Sequence, residues 1–222
     1  MKKNSLPRSG AGRPTPARAR ARREELLDTA LDLFLEHGFE LATIDMIASS
    51  VHMTKRTVYA RYPDKAALFL AAVRRAIDRE AVGPEVLADL DNGNLAETLA
   101  AVARLRIGQV MTPHGLKLQR IINTEGYRFP EIFVAHNQVS TGPVVTFVAS
   151  VLDRARAAGQ ITDIDTDQAA RAFMSMAVGG QVRAIVAGRP PTAAQLEERV
   201  RFTVHLLLHG LRPRRSEEQQ PR

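Results

Sequence analysis

The chain has 222 residues, a formal charge of +7 and no cysteine. That length buries one substantial core, or joins a small module to a larger one. The missing cysteine excludes structural disulfides, thiolate metal sites and cysteine nucleophiles. The charge is concentrated: Lys2, Lys3, Arg8, Arg13, Arg18, Arg20, Arg22 and Arg23 place only cations in residues 1–23, leaving about −1 for everything after them. A polyanionic partner is therefore expected at the N-terminal end.

Residues 1–17 are rich in Pro, Gly, Arg and Ala and lack hydrophobic periodicity, which predicts a disordered basic arm. The first seven residues carry cations but no apolar core segment, so they do not read as a secretory signal. The longest run without Asp, Glu, Lys or Arg, from Ile132 to Leu152, contains His136, Asn137, Gln138, Gly142 and Pro143. It is too polar for a membrane span, and a cytoplasmic protein is expected.

After the arm, helical periodicity dominates and strand signals are scarce. A first helix is predicted from Arg18 to His37, with Leu27, Leu31, Phe34 and Leu35 on one face and Gly38 as its left-handed stop. Two short helices follow, Ile44–Ser50 and Lys55–Tyr59, with Thr43 and Thr54 as N-caps. Pro63-Asp64 ends one helix and caps another, which runs from Lys65 towards Glu80. Gly83-Pro84 and Asp91-Asn92-Gly93-Asn94 read as punctuation. Later helices are expected near 95–111, 115–126, 130–158, 166–187 and 192–209, with Pro143 kinking or splitting the long one. The fold class is all-α, of about nine helices by this periodicity.

A very short helix pair after one longer helix is the pattern of a helix-turn-helix. Ile47 and Ala48 supply its inner contacts, Met53 and Val58 its other side, and the second helix opens on Lys55, Arg56, Thr57 and Tyr59. Long cationic donors reach base edges, while hydroxyls and cations suit phosphates.

From Arg22 to Phe69 the sequence resembles the TetR family of bacterial regulators. The resemblance rests on Thr43-Ile44-Asp45-Met46-Ile47-Ala48 and on Thr54-Lys55-Arg56-Thr57-Val58-Tyr59-Ala60-Arg61-Tyr62-Pro63-Asp64-Lys65-Ala66-Ala67-Leu68. It implies a three-helix DNA-binding domain joined to a larger helical domain for ligand binding and dimerisation. By this resemblance Thr43, Tyr59, Tyr62 and Lys65 look like phosphate contacts, and Lys55, Arg56 and Thr57 like base readers. The family usually has glycine in the turn where His52 stands here; histidine is among the side chains that tolerate positive φ. The stretch Leu118 to Glu131, with its Glu125, Tyr127 and Phe129-Pro130, resembles the AefR-like subgroup.

The implied organisation is a basic arm over 1–17, a DNA-binding domain over 18–67, a sensor and dimerisation domain over 68–211, and a mobile tail over 212–222. Phe173, Ala177, Gly180 and Ala184 share one face of the helix at 166–187, and Val200, Val204 and Leu207 recur along 192–209. Both faces are expected to pair with a second copy. The polar and aromatic mixture from Met111 to Phe147 is the expected pocket region. Asn123, Tyr127, His136 and Asn137 would orient a ligand, while Met111, Phe129, Phe133, Phe147, Phe173 and Met176 would line its site.

No catalytic constellation stands out. His205 and His209 share a helical face but lack a third ligand, so no metal is expected. Asp153, Asp163, Asp165 and Asp167 lack the glycine and terminal glutamate of a calcium loop. Gly179-Gly180 has no following Lys-Ser/Thr, and Ser175 has no Gly-x-Ser-x-Gly setting. The expectation is a ligand-responsive, dimeric DNA-binding regulator of repressor type. Its partners would be a palindromic double-stranded DNA operator, a second copy and a small-molecule effector, with no cofactor and no membrane. The rival readings are a helical small-molecule-binding protein or enzyme that does not bind DNA, and an architectural DNA binder without an effector.

Overall fold

A computed structural model describes residues 15–186 and 191–211, with side chains described over 15–179 and 191–210. Most of the expected basic arm and the whole tail over 212–222 lie outside those residues, as do the side chains at 180 and 184. The described chain is helical without a strand, and it divides into two compact units at Ala72/Val73.

The first unit opens with α1, Pro16–Leu41. Thr15 caps it by accepting a hydrogen bond from the Arg18 amide at 3.4 Å, and Pro16 occupies the first turn, where its missing N–H costs nothing. Helix thus starts two residues inside the stretch expected to be arm. Gly38 interrupts it with φ 77°, a conformation that side chains with a Cβ rarely adopt, and the break turns Phe39 back onto the helix. Phe34, Phe39 and Phe69 form an aromatic cluster, with Phe69 edge-on to the other two at 5.0 and 5.2 Å.

Helices α2, Ile44–Ser50, and α3, Lys55–Tyr59, start and stop where the sequence places them. Thr43 Oγ1 accepts from the Met46 amide at 3.2 Å and Thr54 Oγ1 from the Thr57 amide at 3.1 Å. Ile47, Ala48, Val51 and Val58 are buried around the turn, and His52 adopts φ 52° as expected of the family's glycine position. Helix α4, Lys65–Asp78, begins in this unit.

The second unit holds α5 (Pro84–Asp89), α6 (Leu95–Val110), α7 (Pro113–Glu125), α8 (Glu131–His136), α9 (Gly142–Ala157), α10 (Thr166–Val186) and α11 (Ala193–Leu211). Helix α5 was not anticipated. Gly83-Pro84 reads as a breaker, yet proline is well suited to a first helical turn, and Leu87 anchors the short helix in the core. Helices α6, α9, α10 and α11 enclose a core containing Leu99, Val102, Val148, Leu152, Phe173 and Val200.

The helical run expected over 130–158 is split into α8, a π-helical turn and α9, with the break just before Pro143. Between α8 and α9, residues Asn137–Thr141 form a π-helical turn in which the Gly142 amide donates to the Asn137 carbonyl. Pro143 follows in the first turn of α9, where it has no N–H to give the preceding ladder. A Cβ on residue 142 would lie 2.6 Å from the Asn137 carbonyl oxygen, so the turn closes only around glycine.

Candidate nucleic-acid interface and sensor core

In the first unit, Thr43, Lys55, Arg56, Thr57 and Tyr59 are exposed on and beside α2 and α3. Val58, on the opposite side of the five-residue α3, is completely buried. One buried residue thus fixes which side chains the short helix turns to solvent. Two of the exposed groups already have partners. Lys55 Nζ pairs with Asp45 at 2.8 Å, which holds its ammonium above the ordinary lysine range, chiefly through that hydrogen bond. The Thr57 and Thr54 hydroxyls bond each other at 2.8 Å. Arg56 projects from the exposed face of α3.

Tyr62 and Lys65 sit differently. The Tyr62 ring is buried and its hydroxyl accepts from Arg23 Nε at 3.2 Å. The phenol borders an open groove of about 430 Å³ lined by Ala19, Arg20, Arg23 and Arg61, three cations suited to phosphate. Lys65 Nζ donates to the Glu40 carbonyl at 2.9 Å and lies 4.7 Å from the centre of the Phe39 ring. Its ammonium ties the start of α4 to the end of α1. Sequence reading missed Asp45, Arg23 and Arg61 as neighbours of the expected contacts, because those pairings arise between different elements.

In the second unit the ten residues expected to shape a ligand site do not form one group. Phe173 is buried in the core formed by α6, α9, α10 and α11, and Met111, Phe147 and Met176 pack against that core. Phe129 is buried, whereas Phe133 is half exposed, with its ring close against Gly126. Asn123 and Asn137 are exposed, and Tyr127 is 94% exposed. Asn123 and Tyr127 stand at the surface because α7 ends at Glu125 and its final turn is unpacked on that side.

His136 is largely buried. Its Nδ1 lies 3.4 Å from the Thr141 hydroxyl, and its Nε2 is buried without a hydrogen-bond partner among the described residues. Burial, reinforced by the nearby Arg106 charge, lowers its pKa to about 4, so the ring is neutral at physiological pH.

Phe173, Ala177, Val200, Val204 and Leu207 are buried in this chain's own core, so they have little surface left for a second copy. Gly180 and Ala184 lie outside the described side chains. The large apolar groups that α11 exposes are Phe202, 62% exposed, and Leu206, 48% exposed. They sit one turn apart beside His205 and His209, whose rings lie 3.6 Å apart between centroids and tilted by 33°.

Sequence reading also passed over Arg106 and Glu80, both almost fully buried. Arg106 donates to Gln109 Oε1 at 2.6 Å and to Ser140 Oγ at 3.1 Å. Burial lowers its pKa, an effect that Glu80 opposes, while burial raises the Glu80 pKa against the pull of Arg106 and His114. The signal was present. Arg106 continues the apolar stripe Leu99, Val102, Ala103, and Glu80 continues Val73, Ala76, Ile77. A charge at a helical position otherwise reserved for the core marks a buried polar site.

The family model for bacterial regulatory proteins of the tetR family matches residues 26–72. The model for the C-terminal domain of AefR-like transcriptional repressors matches residues 97–210, half of the chain. An uncharacterized HTH-type transcriptional regulator of Mycobacterium bovis is 40% identical over 102 residues, 46% of this chain and 45% of that protein. The chain thus spans about half the length of the curated relatives it matches. The HTH-type transcriptional repressor AcnR of Corynebacterium diphtheriae is 37% identical over 68 residues, 31% of this chain and 34% of its own. Among solved structures, a TetR-family regulator from Mesorhizobium loti superposes with a TM-score of 0.70 at 23% identity, covering 88% of this chain and 99% of the other. The flavonoid-responsive regulator FrrA does so with a TM-score of 0.67 at 27% identity, over 88% of this chain and all of its own (100%). Among the described residues, no helix is long and apolar enough to cross a membrane.

Proposed function

This chain belongs to the TetR family of bacterial regulatory proteins, with an AefR-like C-terminal half, and on that premise we propose that it is a dimeric transcriptional repressor released from DNA by a small organic effector. The observation that carries the reading is the exposed face of α3. Lys55, Arg56, Thr57 and Tyr59 stand outward there, on a five-residue helix whose Val58 is locked into the core. Arg56 and Lys55 read base edges. Thr43 and Tyr59 hold phosphates, joined by Lys65 and by the hydroxyl of the buried Tyr62. The Arg20, Arg23 and Arg61 groove extends the phosphate contact away from α3. AcnR, a relative named as a repressor, supports the sign of the regulation.

Two copies are joined through the exposed side of α11, where Phe202 and Leu206 present apolar surface. The second unit is the sensor, and effector binding redistributes the dimer between two arrangements with different spacing of the α3 helices. No catalytic step is assigned to it, and its place is with the DNA in the cytoplasm. Selection of bound duplexes from a random pool tests the reading. The expected product is a palindrome whose half-sites are centred about one helical turn or more apart, bound with a steep salt dependence. Recovery of no enriched sequence, or of a single half-site, refutes it.

A further inference from the structure

Three buried polar atoms of the second unit have no hydrogen-bond partner among the described residues: Glu80 Oε2, Arg106 Nε and His136 Nε2. Arg106 and His136 are linked through consecutive residues, Ser140 accepting from the guanidinium at 3.1 Å and the Thr141 hydroxyl lying 3.4 Å from the imidazole, and the Arg106 charge also acts on the Glu80 carboxyl. Buried polar groups are almost always paired, and a cluster of exceptions in a native fold calls for an explanation. A buried guanidinium calls for one most, because it stays charged and needs both an anion and a full set of acceptors. The two acceptors that hold Arg106, Gln109 and Ser140, are neutral. Glu80 acts on Arg106 through its charge, yet its Oε2 takes no hydrogen bond from the guanidinium, so the Arg106 Nε–H stays open.

The backbone around the cluster is also special. The π-helical turn Asn137–Thr141 brings Ser140 to Arg106 and Thr141 to His136. Such turns are uncommon and concentrate at functional sites. One residue fewer in this turn would rotate Ser140 by about 100° away from the guanidinium. The apolar side chains flanking Arg106 on α6, Val102, Ala103, Ile107 and Val110, are all buried. The polar spot is therefore set among buried apolar side chains.

We propose that Arg106 is the polar anchor of the effector site, and that the effector is an organic carboxylate with an apolar body. The carboxylate takes the free Nε–H of Arg106, Ser140 holds the guanidinium in orientation, and the neutral His136 ring, its Nδ1 accepting from the Thr141 hydroxyl, donates its Nε2–H to the same head group. Glu80 competes with the ligand for the guanidinium and so moderates its affinity. The assignment rests on the reading of the second unit as a sensor.

The test uses the full chain and four matched pairs: octanoate, decanoate, benzoate and phenylacetate, each against its primary amide. Thermal melting at neutral pH reads binding, since a ligand selective for the folded state raises Tm with concentration. At least one carboxylate is expected to raise Tm by several degrees when its amide does not. Arg106→Met should remove that difference, and Glu80→Gln should tighten carboxylate binding severalfold by deleting the competing charge. Equal shifts for acids and amides, or no shift for any acid, overturn the proposal. If Arg106→Met does not fold, Glu80→Gln decides, and carboxylate binding that is unchanged or weaker refutes it. The random-pool selection on wild-type protein separates the two claims. DNA binding without carboxylate selectivity sinks the anchor alone, and carboxylate selectivity without DNA binding sinks the regulatory reading alone.

Discussion

Replacing His136 by asparagine should flatten the acid limb of the stability curve. Burial and the neighbouring Arg106 charge hold the His136 pKa at about 4, against an ordinary value of 6.5. Between those values the unfolded chain binds a proton that the folded chain refuses. The stability present above pH 6.5 is therefore lost as pH falls through this window. A difference of that size amounts to about 3 kcal/mol at full titration, of which about 2 kcal/mol is lost by pH 5. Glu80 acts with the opposite sign. Its folded pKa is raised, so its carboxyl favours the folded state at low pH, and that contribution fades as pH rises through the folded value. Comparing wild type with His136→Asn cancels Glu80 and every other shared titration. Urea midpoints followed by circular dichroism at pH 7.5, 6.0 and 5.0 supply the measurement. The wild type should lose about 2 kcal/mol more than the variant between the extremes. Parallel pH profiles would show that the imidazole protonates freely in the folded state and that its burial has been misread.

Arg56→Ala should weaken operator binding by about 1–3 kcal/mol and relax preference at one position in each half-site, read by titration against single-base variants. Lys65→Ala should weaken all sequences alike and also lower Tm, because the ammonium holds the Glu40 carbonyl; a variant with wild-type Tm contradicts that second role. Phe202→Glu should convert dimers to monomers in sedimentation, since it places a charge on the exposed apolar side of α11. A persistent dimer would move the seam elsewhere. Gly142→Ala should cost about 1–3 kcal/mol by forcing a methyl group against the Asn137 carbonyl. An unchanged urea midpoint would mean that the π-helical turn is dispensable.

The sequence by itself determined those parts of the protein whose causes are local. Thr43 and Thr54 accept from amides three residues onward, so the starts of α2 and α3 could be read residue by residue. Gly38 and His52 adopt the positive φ that their types permit, and Pro143 divides the long helical run. A lysine, an arginine and a tyrosine spaced around a buried Val58 likewise expose themselves by helical geometry alone. Tertiary structure decided everything that depends on which surface an apolar face meets. Phe173, Ala177, Val200, Val204 and Leu207 carry the same stripe whether they cover their own core or a second copy, and here they cover their own core. Tyr127 belongs by type to a pocket wall but stands in solvent where α7 ends. Arg106 and Ser140 lie 34 residues apart, and only packing brings the buried guanidinium to that hydroxyl and to the neighbouring His136. Hydrophobic periodicity states that a face will be buried, but the partner is chosen by long-range packing, which no window of neighbouring residues encodes.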